Sequence, residues 1–152
     1  MTSKPLVSIL MNCFNGEAFL KEAIGSILKQ SYQNWELIFW DNKSTDLSLQ
    51  IVSSFKDERI RIFADQEHTN LGKARKNAFK KAKGAYLAFL DVDDLWERDK
   101  LKSQLKVFDD DYEVGIVFTN TLYFSQKRGE KLYASNKKFD VNTSLLITNY
   151  PL

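Results

Sequence analysis

The chain has 152 residues, of which 43% are hydrophobic and 28% charged, a length and composition typical of one globular domain. Its net charge of +2 is spread along the sequence, which argues against nucleic-acid binding through a concentrated basic face. The first apolar run, residues 6–11, is too short for a signal peptide or for the roughly 20 residues that span a bilayer. The single cysteine, Cys13, cannot form an internal disulfide, so we expect a cytoplasmic location, with peripheral association at the inner face of the membrane left open.

Short β-branched or aromatic runs alternate with segments of helical periodicity along the first 120 residues. Strands are predicted at residues 7–11, 35–40, 59–63, 86–90 and 114–119, the third alternating as an edge strand does. Helices are predicted at residues 20–28, from the N-cap candidates Ser44-Thr45-Asp46 to residue 55, from residue 71 to a stop at Gly84, and at residues 101–108. This order predicts an α/β fold with an open, mostly parallel sheet and helices on both faces.

The pattern changes after Asn120. Residues 122–124 and 131–133 flank a polar stretch, which predicts a hairpin with its turn near Gly129. Residues 144–147 are typical of the start of another helix.

Polar side chains follow three of the predicted strands at the point where each strand ends. Residues 12–15 follow the first strand, Asp41 follows the second, and residues 91–94 follow the fourth. In open α/β sheets, ligands bind outside the carboxyl ends of the strands. The sequence therefore predicts one binding site assembled from three separate stretches of chain.

The strongest of these stretches is an acidic cluster made of Asp91, Asp93 and Asp94. Its carboxylates repel one another unless a cation lies among them, and oxygen ligands favour a hard ion such as Mg²⁺ or Mn²⁺. His68 is the only histidine, so a zinc site is excluded. An ion of this kind completes its shell with substrate phosphates, which points to a nucleotide ligand. The alternative is that these acids cap the next helix and solvate a loop.

No glycine-rich phosphate loop accompanies the acidic cluster. The spacings G-x-x-x-x-G-K and G-x-G-x-x-G are both absent, so the metal and basic side chains must hold the phosphates. Lys73 and Arg75 are the candidates, with surface charge on an amphipathic helix as the alternative. Asp41 can accept a hydrogen bond from the imide N–H of uracil or thymine, and Phe14 can stack on the ring. A strand-end turn residue and a core side chain are the respective alternatives.

Five stretches, in this order, resemble motifs of family 2 glycosyltransferases with the GT-A fold. Residues 7–15 resemble the opening strand and its Pro-Thr-Tyr-Asn turn, and residues 26–37 the Ser-x-Leu-x-Gln-Thr-Tyr stretch with the second strand. Residues 41–46 are similar to Asp-Asp-Gly-Ser-Thr-Asp, residues 70–77 to the Asn-x-Gly and Ala-Arg-Asn elements, and residues 89–94 to Phe-Leu-Asp-x-Asp-Asp. The resemblance implies a GT-A, Rossmann-like fold.

The resemblance also implies which residues bind the nucleotide-sugar donor. Those assigned to the nucleoside and ribose are Asn12, Phe14, Asp41 and Asp91. Asp93 is implied as the metal ligand that bridges to the diphosphate, with Asp91 and Asp94 as further metal candidates and Mn²⁺ or Mg²⁺ as the ion. The weaker donor-site candidates are Asn70, Lys73 and Arg75.

Three positions depart from the family pattern. Asn12-Cys13 replaces Pro-Thr, Phe14 lacks the tyrosine hydroxyl, and Asn42-Lys43 replaces Asp-Gly. Because glycine is usual at the position of Lys43, the conformation of the turn after the second strand is in question.

The aspartate base that deprotonates the acceptor in this family has no counterpart here. The acids after Asp111 are Glu113, Glu130 and Asp140, and none lies in the family's Glu-Asp pair. We therefore expect a fragment in which residues 1–120 form the donor-binding region and residues 121–152 begin an incomplete acceptor side. Such a fragment is expected to bind UDP with Mn²⁺ and to transfer sugar poorly.

The predicted function is the inverting transfer of a sugar from a nucleoside-diphosphate sugar, most simply a UDP-sugar, to a glycan or lipid-linked acceptor. The family context is bacterial polysaccharide or cell-envelope synthesis. Two alternatives stay open. A sugar nucleotidyltransferase would need a glycine-rich basic loop that residues 12–16 lack, and a non-catalytic binding module would keep the fold without the metal.

Overall fold

The computed structural model describes residues 4–119, together with the backbone of residues 121–125 and 129–133. The strands are β1 (Val7–Cys13), β2 (Trp35–Asp41), β3 (Ile60–Ala64), β4 (Tyr86–Phe89), β5 (Thr121–Ser125) and β6 (Gly129–Tyr133). The helices are α1 (Leu20–Leu28), α2 (Ser48–Ser54), α3 (Leu71–Phe79) and α4 (Lys100–Asp110). No helix in this part of the chain has the length and hydrophobicity needed to cross a membrane.

The chain divides between Ser103 and Gln104 into two compact units. The first contains a four-stranded sheet in the order β3-β2-β1-β4, with every pair parallel. The second contains the antiparallel pair β5-β6. The predicted α/β fold with an open parallel sheet is confirmed, and so is the hairpin; its connecting residues 126–128 and the predicted helix at residues 144–147 lie outside the described residues.

Strand order explains where the helices of the first unit lie. The connections from β1 to β2 and from β2 to β3 run in one direction across the sheet, and the connection from β3 to β4 returns past them. Because such crossovers are right-handed, the reversal places α3 on the face opposite α1 and α2. Accordingly, α1 contacts α2, and α3 contacts β1 and β2. The two central strands are buried on both faces, as continuous apolar runs predict.

The face under α3 is a hydrophobic cluster in which small helical residues meet large strand residues. Ala74 and Ala78 pack against Leu10, Ile38 and Trp40. These alanines let the helix lie close to the sheet. Because α3 follows β3, which is parallel to its neighbour, the amino end of the helix lies at the same edge as the carboxyl ends of the strands.

A buried carboxylate ties the amino half of the sheet to the connection that leads into β4. Glu36 accepts hydrogen bonds from the Ser8 hydroxyl (2.7 Å), the Lys83 backbone N–H (2.7 Å) and Arg61 (2.7 Å). Arg61 also donates to the Lys81 carbonyl at 2.8 Å. This network fixes where the chain enters β4, and therefore where the acidic cluster after β4 begins.

Two local predictions are wrong. Residues 114–119 form no strand in the described structure; the Val117 carbonyl instead accepts a hydrogen bond from the Gln104 side chain at 3.1 Å. Gly84 does not end α3, which stops at Phe79. Its backbone N–H donates to the Ser8 hydroxyl at 2.8 Å, and a Cβ there would lie 2.5 Å from the Ser8 backbone nitrogen. Gly84 is therefore required for close approach to β1.

Replacing Gly84 with alanine is expected to lower the free energy of unfolding by about 3 kcal/mol, because the new methyl group meets backbone atoms that cannot move aside. Gly25→Ala is the matched control. A Cβ at Gly25 meets nothing within 4 Å, and alanine should stabilise α1 by about 0.5–1 kcal/mol. Urea unfolding of both variants measures the difference, and equal stabilities would contradict the close approach.

Glu36→Gln is expected to destabilise the protein in a pH-dependent way. Burial opposes ionisation of Glu36, but hydrogen bonds from Ser8, Arg61 and Lys83 outweigh it and lower its pKa below the ordinary 4.5. The carboxylate therefore contributes stability above about pH 4.5, and this is lost as the pH falls through the lower folded-state pKa. Urea unfolding at pH 7 should show a loss of about 1–3 kcal/mol that shrinks towards pH 3. The exposed variant Glu58→Gln should show no such trend.

Candidate functional site

The carboxyl ends of β1, β2 and β4 meet at one edge of the sheet. Cys13 pairs with Asp41 at the ends of β1 and β2, and the Leu90 N–H donates to the Leu10 carbonyl at 3.1 Å beyond the end of β4. Strand order reverses between β1 and β4, the position at which open α/β sheets bind ligands. We call this edge the rim; it consists of the loops at residues 14–19, 42–47, 65–70 and 90–99.

The first two loops of the rim are bonded directly to each other. The Ser44 hydroxyl accepts from the Asn15 N–H at 2.9 Å, and the Asn15 side chain accepts from the Thr45 N–H at 2.8 Å. A second pair of hydrogen bonds joins the same two loops. The Glu17 N–H donates to the Asp46 carboxylate at 2.9 Å, and the Leu47 N–H donates to the Glu17 carboxylate at 2.8 Å. Side chains thus replace the backbone ladder where the two strands end.

Two residues of these loops adopt left-handed backbone conformations. Asn15 has a φ of 54° and Lys43 a φ of 64°. Asparagine tolerates this region and lysine does so at a cost of about 1 kcal/mol. Lys43 therefore keeps the turn for which glycine is usual, and the Asp41 position at its start is preserved.

The acidic loop after β4 packs against the first loop at Gly16. A Cβ on Gly16 would lie 3.0 Å from the Cys13 sulfur and 3.1 Å from a methyl carbon of Val92. Val92 lies between the acidic residues Asp91 and Asp93. The loops after β1 and β4 therefore meet at this glycine.

Asp41 presents an unusual hydrogen-bonding situation at the centre of this edge. Its residue exposure is 1%, and one carboxylate oxygen accepts from the Ser44 N–H at 2.9 Å. The other oxygen, Oδ1, is buried without a hydrogen-bond partner, and so is the side-chain nitrogen of Asn12. Buried polar atoms are normally paired, and leaving one unpaired costs about 1–3 kcal/mol. An unpaired acceptor and an unpaired donor thus lie at two positions that the sequence predicts to contact a nucleoside.

Asn42 fixes the loop after β3, a role that the sequence analysis did not predict for it. Its amide donates to the Thr69 carbonyl at 2.6 Å and accepts from the Thr69 N–H at 2.9 Å. Its own carbonyl lies 3.0 Å from Nδ1 of His68, whose ring contacts Phe14. The third loop of the rim, residues 65–70, is thereby placed beside the first. The available sequence signal was an asparagine where the resemblance expects aspartate.

The acidic residues after β4 differ in their surroundings. Asp91 forms an ion pair with Arg75 at 3.0 Å, which brings together two predicted donor-site residues. Asp93 and Asp94 are exposed. The pKa of Asp94 is raised by partial desolvation of the Asp94 carboxyl group and, to a smaller extent, by the negative charges of Asp93 and Asp91. No three metal-binding side chains are already gathered into a cluster within the described residues.

The end of α1 anchors the chain that follows the acidic residues. The Gln30 amide donates to the Glu97 carbonyl at 2.8 Å and accepts from the Leu101 N–H at 3.2 Å. The Ser26 hydroxyl accepts from the Trp96 N–H at 3.1 Å. Gln30 is buried, so these bonds are protected from water. Ser26 and Gln30 therefore hold the end of the acidic loop in place.

The remaining predicted donor-site residues lie at the start of α3. Asn70 is its N-cap, accepting from the Lys73 N–H at 2.9 Å. The Lys73 side chain is exposed on the first helical turn. Asn70 thus has a structural role that the sequence did not indicate, and Lys73 is free to approach a ligand.

Comparisons with known proteins agree with the fold. The family model described as "Glycosyl transferase family 2" matches residues 8–149. An uncharacterized glycosyltransferase of Haemophilus influenzae is 39% identical over 146 residues, covering 93% of this chain and 57% of the relative. The Escherichia coli protein named UDP-Glc:alpha-D-GlcNAc-diphosphoundecaprenol beta-1,3-glucosyltransferase WfgD is 40% identical over 102 residues, covering 67% of this chain and 40% of that protein.

A solved structure of a known protein is also similar to this chain. S. aureus TarS 1–349 in complex with UDP-GlcNAc has a TM-score of 0.67 and 27% sequence identity to this chain, covering 70% of this chain and 32% of TarS. The chain thus spans between 40% and 57% of the length of the two curated relatives.

Gln30→Leu tests the anchoring of the acidic loop. The substitution leaves the Glu97 carbonyl and the Leu101 N–H without their partners, so the free energy of unfolding should fall by about 2–3 kcal/mol. Hydrogen exchange at Trp96 and Leu101 should accelerate more than exchange in β2. Gln50→Leu, an exposed position of α2, should change stability by less than about 0.5 kcal/mol. Equal exchange at Leu101 in both variants would contradict the anchoring.

Proposed function

The chain belongs to glycosyltransferase family 2, and we propose that it forms the donor-binding part of an inverting, metal-dependent transferase that uses a nucleoside-diphosphate sugar, most simply a UDP-sugar. The observation that carries this proposal is the unpaired, buried oxygen of Asp41 at the rim, one strand away from the strand-order reversal between β1 and β4. A ligand that donates a hydrogen bond at this position removes the penalty of leaving that oxygen unpaired.

A uracil ring has the chemistry that this part of the rim would recognise. Its imide N–H can donate to Oδ1 of Asp41, and its carbonyl oxygens can accept from donors such as the unpaired amide of Asn12. The Phe14 side chain, 49% exposed, offers a face on which a planar base can stack. These groups come from β1, β2 and the loop between β1 and α1, which the parallel register holds at one edge.

Beyond the nucleoside, the acidic loop supplies the groups for the diphosphate. Asp93 is the proposed ligand of Mn²⁺ or Mg²⁺, with Asp91 and Asp94 beside it, because these oxygens suit a hard ion. The bound ion would supply Lewis-acid stabilisation of the negative charge on the departing diphosphate. Arg75, paired with Asp91, and exposed Lys73 are the proposed cationic contacts of the diphosphate.

For the acceptor, the relatives suggest only a chemical class. WfgD is named for the transfer of glucose from UDP-glucose to a sugar on a diphosphoundecaprenol lipid. We extend that class to this chain as a glycan or lipid-linked acceptor, with assembly of a bacterial envelope polysaccharide on the cytoplasmic face of the membrane as the setting.

Isothermal titration calorimetry with UDP tests the donor site. UDP should bind at least about tenfold more tightly with Mn²⁺ than without it, because the metal joins the diphosphate to the acidic loop. Asp93→Asn should remove this metal-dependent gain and leave the metal-free affinity for uridine unchanged. Asp41→Asn should weaken uridine and UDP alike by about tenfold, with or without metal.

Asp110→Asn, an exposed acid on α4, should bind as the parent chain does. UDP binding that is equal with and without Mn²⁺ would contradict the metal role and favour a non-catalytic module of the same fold. Absence of any UDP binding would contradict the donor site itself.

A further inference from the structure

We propose that His68 is a positioning residue of the donor site, which holds the ring of Phe14 in the orientation that receives the nucleobase. The proposal rests on the proposed function and deepens it. Neither the sequence motifs nor the metal chemistry assigns any part to this histidine.

His68 is itself held in place by Asn42. Its Nδ1 lies 3.0 Å from the backbone carbonyl oxygen of Asn42. A carbonyl oxygen only accepts, so Nδ1 carries the proton and donates. Asn42 is buried and its side chain bonds to the backbone and hydroxyl of Thr69, the next residue after the histidine. The hydrogen bond at Nδ1 therefore restrains the imidazole ring, and the bonds to Thr69 restrain the backbone beside it.

The restrained imidazole meets the ring of Phe14. The two ring centroids are 4.2 Å apart and the planes are inclined by 49°. The two residues are distant in sequence and belong to different loops of the rim. Phe14 keeps 49% of its surface exposed, so the contact with His68 leaves part of the aromatic ring free for a ligand.

The freedom that remains to Phe14 lies in its side-chain torsions. Its backbone is fixed because Cys13, before it, accepts from the Asn42 N–H at 2.7 Å, and Asn15, after it, bonds to Ser44 and Thr45. An exposed phenylalanine on a fixed backbone can still rotate among staggered positions. A neighbouring ring 4.2 Å away restricts that rotation. His68 thus prepares Phe14 before the nucleotide arrives.

Preorganisation of this kind changes affinity without adding a contact to the ligand. Immobilising one side chain on binding costs about 0.5–1.5 kcal/mol, which corresponds to a roughly two- to tenfold change in affinity. Because Phe14 lies on the nucleoside side of the rim, the change should be the same for uridine without metal and for UDP with Mn²⁺. A variant that merely damaged the acidic loop would weaken only the second.

Calorimetry on three His68 variants and one control tests the proposal, with thermal unfolding to show that each is folded. His68→Ala should bind uridine and UDP–Mn²⁺ about fivefold more weakly, by the same factor for both. His68→Phe restores a ring at this position and should recover most of the affinity. His68→Asn keeps a donor for the Asn42 carbonyl but has no ring, so it should behave as His68→Ala. Glu67→Ala, an exposed neighbour, is the control and should bind as the parent chain does.

Double substitution identifies the route of the effect. If His68 acts through Phe14, His68→Ala should cost nothing further in a Phe14→Ala background. Unchanged uridine affinity in His68→Ala, or a full additional loss in the double variant, would overturn the inference while leaving the proposed function standing. Failure of the parent chain to bind either uridine or UDP would overturn both together.

Discussion

β1 is held in parallel register between β2 and β4, and this register decides which side chains reach the rim. A slip of one residue would turn every side chain of β1 to the other face of the sheet and would take Asp41 out of its pairing with Cys13. The register is protected at the far end of the sheet, where Glu36 and Gly84 join the first two strands to the entry of β4. The arrangement of the rim is thus determined in part by contacts at the opposite end of the sheet.

The rim combines two levels of rigidity. The loops after β1, β2 and β3 are linked by paired side-chain and backbone hydrogen bonds, centred on Asn15, Ser44 and Asn42. The acidic loop is held by the ion pair of Asp91 with Arg75 and by the packing of Val92 at Gly16. Ser26 and Gln30 hold its end, while Asp93 and Asp94 are exposed. The part of the rim that we propose to bind the nucleoside is therefore firmly built, and it adjoins an acidic stretch whose mutual repulsion a cation would relieve.

Hydrophobic periodicity and the rule that ligands bind at the carboxyl ends of strands were sufficient to predict the parallel sheet and the positions of Asp41 and the acidic cluster. They were insufficient where a residue's role depends on a distant partner. Gln30 and Glu97 are far apart in sequence, and nothing in the local pattern of either predicts their bond. The wrong strand at residues 114–119 has the same origin, since apolar runs cannot reveal that Val117 bonds to a side chain. The sequence predicted that Gly84 ends a helix, whereas in the structure Gly84 lies in close contact with β1.

The lone thiol of the chain lies inside this arrangement. Cys13 is 1% exposed and packs against Gly16; burial, and to a smaller extent the charge of Asp41, raises its pKa. An enclosed, protonated thiol reacts slowly with maleimides. Because the sequence contains no other cysteine, one introduced at a surface position would be labelled selectively. A fluorophore can therefore be attached to a loop of choice while the native sulfur stays in place as packing material.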